Sequence, residues 1–140
     1  MAYTISVSMV EPRWFASVRG PMQKNVSGAM LALLGQAWER VKKNGIKTDG
    51  VNMAIYTAST IKAGPRVLDP SDGSGFTPSG LAASTVHIGP YELLGEAHRA
   101  VREWCEANGH QLEGTNWEIY GHHEEDPSRR RTDVFYLLRS

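Results

Sequence analysis

The residue whose type and setting most invite chemistry is Glu118, in the run Asn116-Trp117-Glu118-Ile119-Tyr120. Read as a strand, the run alternates faces: Asn116, Glu118 and Tyr120 share one, Trp117 and Ile119 the other. A carboxylate in a central strand among aromatics is partly desolvated, which raises its pKa and makes it seek a cation or a proton. It could anchor a charged ligand or act as a general base. The competing reading is an edge-strand Glu pointing at water, common for this residue type. A flat cation gains apolar burial and attraction to ring faces, about 0.5–2 kcal/mol per contact. The rings that could line such a site are Tyr120, Tyr91, Tyr56, Trp117 and Phe135, with Met22 as a soft apolar liner. Which sheet face lines the cavity is left open by the strand pattern.

Other reactive side chains point to blander roles. His122-His123 with Glu124, Glu125 and Asp126 has metal-ligand chemistry, but neighbouring residues point apart and Pro127 makes the segment a solvated hairpin tip. Arg129-Arg130-Arg131 lies beside those three acids, and the cancellation argues against direct nucleic-acid binding. Cys105 falls on a helical apolar stripe and reads as a small buried hydrophobe. His87, near the Gly89-Pro90-Tyr91 turn, and His98 could be acid–base groups, but the commoner reading is a satisfied structural histidine. No Ser-His-Asp pattern, phosphate loop or dinucleotide fingerprint is present, and neither a metal nor a cofactor is called for.

The chain repeats itself. Asn44-Gly45-Ile46-Lys47-Thr48-Asp49-Gly50-Val51-Asn52-Met53-Ala54-Ile55-Tyr56 returns 64 residues later as Asn108-Gly109-His110-Gln111-Leu112-Glu113-Gly114-Thr115-Asn116-Trp117-Glu118-Ile119-Tyr120. Six of the thirteen positions are identical, and Val18-Arg19-Gly20-Pro21-Met22 is matched by His87-Ile88-Gly89-Pro90-Tyr91, so the agreement extends beyond one motif. The repeat singles out Glu118 independently: its counterpart is Ala54, so the fold position itself needs no charge. Tyr120 has Tyr56 as its counterpart.

Each repeat predicts strand, helix, strand, strand. Ile5–Met9, Trp14–Val18 and Ala82–Ile88 carry short β-branched and apolar runs. Met30, Leu31, Leu33, Leu34, Ala37, Trp38 and Val41 recur at helical spacing, as do Leu93, Leu94, Ala97, Val101, Trp104 and Cys105. Gly20-Pro21 and Gly89-Pro90 read as helix starts, and the Asn-Gly pairs as helix stops. Strands follow at about Val51–Thr57 and Thr115–Tyr120, the latter turning through His122–Arg131 into Thr132–Leu138. The expected fold class is α+β: duplicated units forming an antiparallel sheet with two helices about a pseudo-twofold axis. Residues 57–80, rich in Gly, Pro, Ser and Thr, read as a loop that is a lid or rim over the ligand site or plain mobile surface. Only Arg66–Leu68 would be a short last strand there.

At 140 residues, with 15 basic and 15 acidic side chains, the chain suits one domain (1–140, repeats at about 3–68 and 81–138) with no global field drawing it to nucleic acid or membrane. A separate DNA-reading domain is not expected beside that core. No apolar run approaches the about 20 residues of a spanning helix, and Met1-Ala2-Tyr3-Thr4 lacks a signal-peptide start. The single cysteine excludes an internal disulfide. A cytoplasmic domain is expected.

The segments Ile88-Gly89-Pro90-Tyr91-Glu92-Leu93-Leu94-Gly95-Glu96-Ala97, Asn108-Gly109, Trp117-Glu118-Ile119-Tyr120 and Arg130-Arg131-Thr132-Asp133-Val134-Phe135-Tyr136-Leu137 resemble the GyrI-like small-molecule-binding family, which includes effector-binding domains of bacterial multidrug transcription activators. The resemblance is strong in the second half and weaker between Ala58 and Gly80. It implies a two-repeat fold with a ligand cavity near the repeat axis, and a Glu, here Glu118, facing lipophilic cations in an aromatic cavity. Phe135 stands where the family often has Tyr. Some stand-alone members resemble hydrolases that open strained cyclopropane rings of alkylating compounds with water.

Three functional readings follow. In the first, a stand-alone binding protein takes a hydrophobic or cationic small molecule, for sensing or sequestration in drug or toxin response. In the second, a cyclopropanoid hydrolase uses Glu118 as general base and Tyr120 or Tyr91 as proton donor. In the third, resting on fold-level analogy, a protein partner such as DNA gyrase is inhibited. A homodimer is compatible with each.

Overall fold

The computed structural model describes residues 3–139; Met1 and Ala2, which entered the leader reading above, lie outside them. In chain order the elements are β1 (Ser6–Val10), β2 (Trp14–Phe15), β3 (Val18–Pro21), α1 (Val26–Asn44), β4 (Thr48–Tyr56), β5 (Thr60–Val67), β6 (Gly75–Phe76), β7 (Gly80–Ile88), α2 (Leu94–Ala107), β8 (Leu112–Tyr120) and β9 (Arg131–Leu138). Two helices accompany one antiparallel sheet, ordered β1-β7-β9-β8-β4-β5-β2-β6, with β3 also pairing β5. The expected α+β class is therefore found. Strand–helix–strand–strand occurs twice, as β3-α1-β4-β5 and as β7-α2-β8-β9.

Alternation along the strands builds two apolar layers. On one face, Ala83, Val134, Tyr136 and Leu138 meet Leu94, Ala97, Val101 and Cys105 of α2, whose spacing of three to four residues puts them on one helical stripe. On the other face the sheet curls upon itself. Phe15, Val51, Met53, Ile55, Ala82, Trp117 and Ile119 enclose a second core, closed by Val10 from β1. Helix α1 is different: Ala37 and Val41 are buried in its second half, whereas Leu31 on its first half is 60% exposed. Half of its apolar stripe thus faces open space.

The repeat is visible in the backbone. Gly50 and Gly114, repeat counterparts, both have positive φ, at 82° and 103°. Each lies at a bulge, between Thr48 and Asn52 in β4 and between Leu112 and Asn116 in β8. A bulge kinks and twists its strand, and left-handed φ suits glycine there. The two central strands then bend alike.

Three expectations need correction. Residues 57–80 are not one loop, because Thr60–Val67 form β5, an eight-residue interior strand. Gly64 and Pro65 signalled a turn but serve packing: a Cβ on Gly64 would lie 1.7 Å from the Ala16 carbonyl oxygen, so glycine lets the β2–β3 connection pass across the strand. Pro65 needs no N–H there, and its carbonyl accepts the Ala16 N–H at 2.9 Å. The rest of that segment does not form a lid, since it packs at the sheet edge through Ser74 N–H to Phe15 O (3.0 Å) and Thr77 N–H to Arg13 O (2.9 Å). Finally, Gly20-Pro21 closes β3 and does not open α1. That helix is capped five residues on by Asn25, whose side chain accepts the Gly28 N–H at 3.0 Å. Among the described residues, no helix is long and apolar enough to cross a membrane.

Candidate functional site

The central strands β4 and β8 lie between the two helices, and the gap above them is a cavity of about 770 Å³. Its floor is the helix-side face of these strands: Asn52 and Tyr56 from β4, Asn116, Glu118 and Tyr120 from β8. One wall is the uncovered half of α1, with Val26, Met30, Leu31 and Leu34; the other is Tyr91, Leu94 and His98 around the start of α2. Met22 and Tyr136 complete it, and His123 reaches its rim from the β8–β9 turn.

Glu118 is 4% exposed, and its carboxylate is held from both sides. Tyr56 donates its phenol O–H to Oε1 at 2.9 Å, and Tyr120 donates to the same oxygen. His98 Nε2 is 2.7 Å from Oε2. Burial works to raise the Glu118 pKa, but the His98 hydrogen bond, the imidazole's charge when it is protonated, and the two phenol bonds outweigh it and hold the carboxyl below its ordinary range. Isolation in an apolar wall would have raised it, as the sequence alone suggested; three convergent donors reverse the sign. The phenols respond in the opposite direction. Burial, then the neighbouring carboxylate, pushes both Tyr56 and Tyr120 above the phenol range, so each remains a donor.

Beyond His98 the bonding continues. Its Nδ1 is 2.8 Å from the Tyr136 hydroxyl, whose oxygen accepts Nη1–H of Arg102 at 2.9 Å. At the mouth, Tyr91 meets Tyr120 edge to face, with ring centres 5.9 Å apart, and the Arg130 guanidinium lies 5.1 Å from the centre of the Tyr91 ring.

Of the residues singled out from sequence, Glu118, Tyr120, Tyr91, Tyr56 and Met22 share this cavity. Trp117 and Phe135 do not. They stack 5.1 Å apart on the opposite face, in the second core. The reason is the period of two: a strand that gives Glu118 to the cavity must turn Trp117 away, and the cross-strand partner Phe135 follows it. The phenol of β9 that enters the cavity belongs to the next residue, Tyr136. His87 is a satisfied buried histidine, bonded to the Tyr3 hydroxyl (2.8 Å) and the Pro90 carbonyl (2.9 Å).

Tyr136 is a residue that sequence reasoning missed, and His98 is one whose place beside Glu118 it did not foresee. A signal for His98 was present: carried back 64 residues into α1, the repeat aligns it with Leu34. Ala54 against Glu118 and Leu34 against His98 are thus matching exchanges, in which the second repeat put two bonded polar groups where the first has apolar ones.

The fold with its interhelical cavity over a duplicated antiparallel sheet is of the GyrI-like kind. Neither a family model nor a curated protein sequence matches the chain. Solved structures do. The EcmrR C-terminal domain superposes with a TM-score of 0.81 at 18% identity, covering 100% of this chain and 99% of that one. SAV2435, solved bound to tetraphenylphosphonium, gives 0.62 at 8% identity over 100% and 95%. A hydrolase from Listeria innocua gives 0.58 at 13% identity over 96% and 91%. At these identities the likeness is one of fold.

Proposed function

We propose that this chain is a member of the GyrI-like family, a single ligand-binding domain of two repeats (residues 1–140) that takes a lipophilic, cationic small molecule between its helices. Glu118 is the electrostatic anchor. The observation that carries this reading is an almost fully buried carboxylate, kept ionised by three donors, on the floor of a cavity whose helical wall leaves Leu31 and Tyr91 uncovered. Burying an ionised group is costly, and a cation of matching shape adds attraction to the bonds already made by Tyr56, Tyr120 and His98 while covering the apolar wall. The tetraphenylphosphonium held by SAV2435 on the same fold supports the ligand class. Binding of this kind fits a sensor or sequestering protein in drug or toxin response, and the free, buried Cys105 suits a cytoplasmic setting.

The hydrolase reading places Glu118 as general base with Tyr120 as donor. Two phenols beside the carboxylate favour it, and so does the fold of the Listeria protein. Against it stands the lowered pKa, which makes Glu118 a weak base. Binding is therefore the preferred function.

Calorimetry with methyltriphenylphosphonium and its neutral analogue triphenylphosphine oxide tests the proposal. The cation binds wild type more tightly, and Glu118→Gln weakens the cation by about tenfold or more while leaving the neutral compound nearly unchanged. Equal loss for both compounds, or no binding of the cation to wild type, overturns it.

A further inference from the structure

His98 joins an anion to a hydroxyl that can face either way. Its Nε2 is 2.7 Å from Glu118 Oε2, and its Nδ1 is 2.8 Å from the Tyr136 hydroxyl. An ionised carboxylate only accepts, so Nε2 carries a proton. Nδ1 is free to hold one or not. When bare, it accepts the Tyr136 O–H, while the Tyr136 oxygen accepts Arg102 Nη1–H at 2.9 Å. When protonated, it donates to that oxygen, which then accepts from Arg102 and His98 together. The phenol proton turns toward the cavity that Tyr136 lines. The same atoms stay bonded in both states, so no side chain has to move when the imidazole gains or loses this proton. What changes is charge: the Glu118–His98 pair is negative with the imidazole neutral and carries no net charge with it protonated.

We infer that His98 makes ligand binding proton-coupled: it gives up its Nδ1 proton as a cation docks beside Glu118, so cation affinity rises from acid to neutral pH. The inference rests on the binding reading above. A cation beside Glu118 lies in the same cavity as the imidazole, whose side chain is only 16% exposed. Two positive charges within about 4–6 Å oppose each other there with little screening, which disfavours the imidazolium. The Nδ1 proton leaves to solvent, the Tyr136 O–H turns back to Nδ1, and the charge of the carboxylate is left to the ligand. The other groups packed around the pair are placed differently. Glu118 is held below the window of about pH 5–8 in which an imidazole titrates, and Tyr56, Tyr120 and Tyr136 are held above it. Arg102 on α2 and Arg130 at the mouth carry fixed charges, and Glu96 and Arg99 of α2 are exposed. Helix α1 offers the cavity only apolar side chains and Ser27; Tyr91, Glu92 and His123 line its mouth and rim.

The test titrates methyltriphenylphosphonium into the full chain by calorimetry between about pH 5 and pH 8. Wild-type affinity is expected to rise about tenfold or more across that range, whereas the neutral triphenylphosphine oxide shows no such rise. At about pH 6, titrations in phosphate and in Bis-Tris, buffers of unlike ionisation enthalpy, count the protons exchanged; wild type is expected to release about half a proton or more per cation bound. That count needs no variant. His98→Gln keeps an N–H for Oε2 but has no proton to lose, so its cation affinity stays within about twofold over the same range and the proton release disappears. His98→Leu, which installs the side chain of the other repeat, does the same. His123→Gln removes the imidazole at the rim and keeps the wild-type slope. A wild type that binds the cation with neither slope nor proton release overturns the coupling and leaves the binding reading intact. A slope that survives in His98→Gln, that is lost in His123→Gln, or that the neutral compound shares overturns the role of His98 as well. Failure of wild type to bind the cation at any pH overturns both readings together.

Discussion

Ala54 and Glu118 face each other across the β4–β8 pair, and each is the other's counterpart in the repeat. Their neighbours are not so placed: Met53 faces Ile119 and Ile55 faces Trp117, so those counterparts cross over. The approximate twofold axis therefore passes between Ala54 and Glu118. A side chain on such an axis meets its own copy. Two glutamates would stand opposed in a buried place, and the asymmetry avoids that. It also lets the counterparts Tyr56 and Tyr120 converge on one carboxylate from both sides.

Restoring symmetry with charge should be destabilising. Ala54 is 0% exposed, so Ala54→Glu adds a buried like charge opposite Glu118 and is expected to cost at least about 3 kcal/mol in urea unfolding at neutral pH. Ala54→Gln supplies the same bulk without the charge and should cost less. The gap between the two variants narrows as pH falls, because one proton removes the repulsion. A gap of constant size would show that the two carboxylates do not oppose each other.

Glu118 makes stability pH-dependent in a stated direction. Its folded pKa lies below the ordinary value of 4.5, so the stabilisation is complete above that value and is lost as pH falls through the folded pKa. Urea unfolding from about pH 7 down to about pH 3 should show wild type losing its advantage over Glu118→Gln on the acid side. Tyr120→Phe removes one donor, raises the folded pKa, and moves that loss to higher pH. An advantage over Glu118→Gln that grows on acidification would reverse the sign and contradict the bonding described.

The two faces of β8 should separate stability from binding. Trp117 is 2% exposed in the second core, and Trp117→Ala is expected to cost about 3–5 kcal/mol; measured under conditions where it remains folded, its cation affinity is nearly unchanged. Tyr91 is 46% exposed at the cavity mouth, and Tyr91→Ala should change stability by less than about 1 kcal/mol while weakening cation binding severalfold. Swapped outcomes would mean that the ligand lies on the other face of the sheet.

Much of this was legible without coordinates, for identifiable reasons. A duplication is a pattern within the chain itself, so the strand–helix–strand–strand unit, the two helical stripes and the singularity of Glu118 could be read directly. Strand alternation placed Asn116, Glu118 and Tyr120 together. The same alternation excluded Trp117 from their company, although nothing local said which face was the cavity. In residues 57–80 the local rule failed: Gly64 and Pro65 have turn chemistry, but the need for a chain to cross β5 outweighed it.

The sequence by itself thus determined the repeat and the α+β class and singled out Glu118 against Ala54, because periodicity and self-similarity are properties of one dimension. Only the tertiary structure decided what surrounds that residue. His98 lies 20 positions from Glu118 and Tyr136 lies 38 from His98, on a helix and a strand whose docking brings them into one chain of bonds. That chain also reversed the sign of the carboxyl's pKa shift. Burial is a property of one residue and can be guessed from its neighbours; a hydrogen bond needs two atoms within about 3 Å, and that distance exists only once the chain has folded.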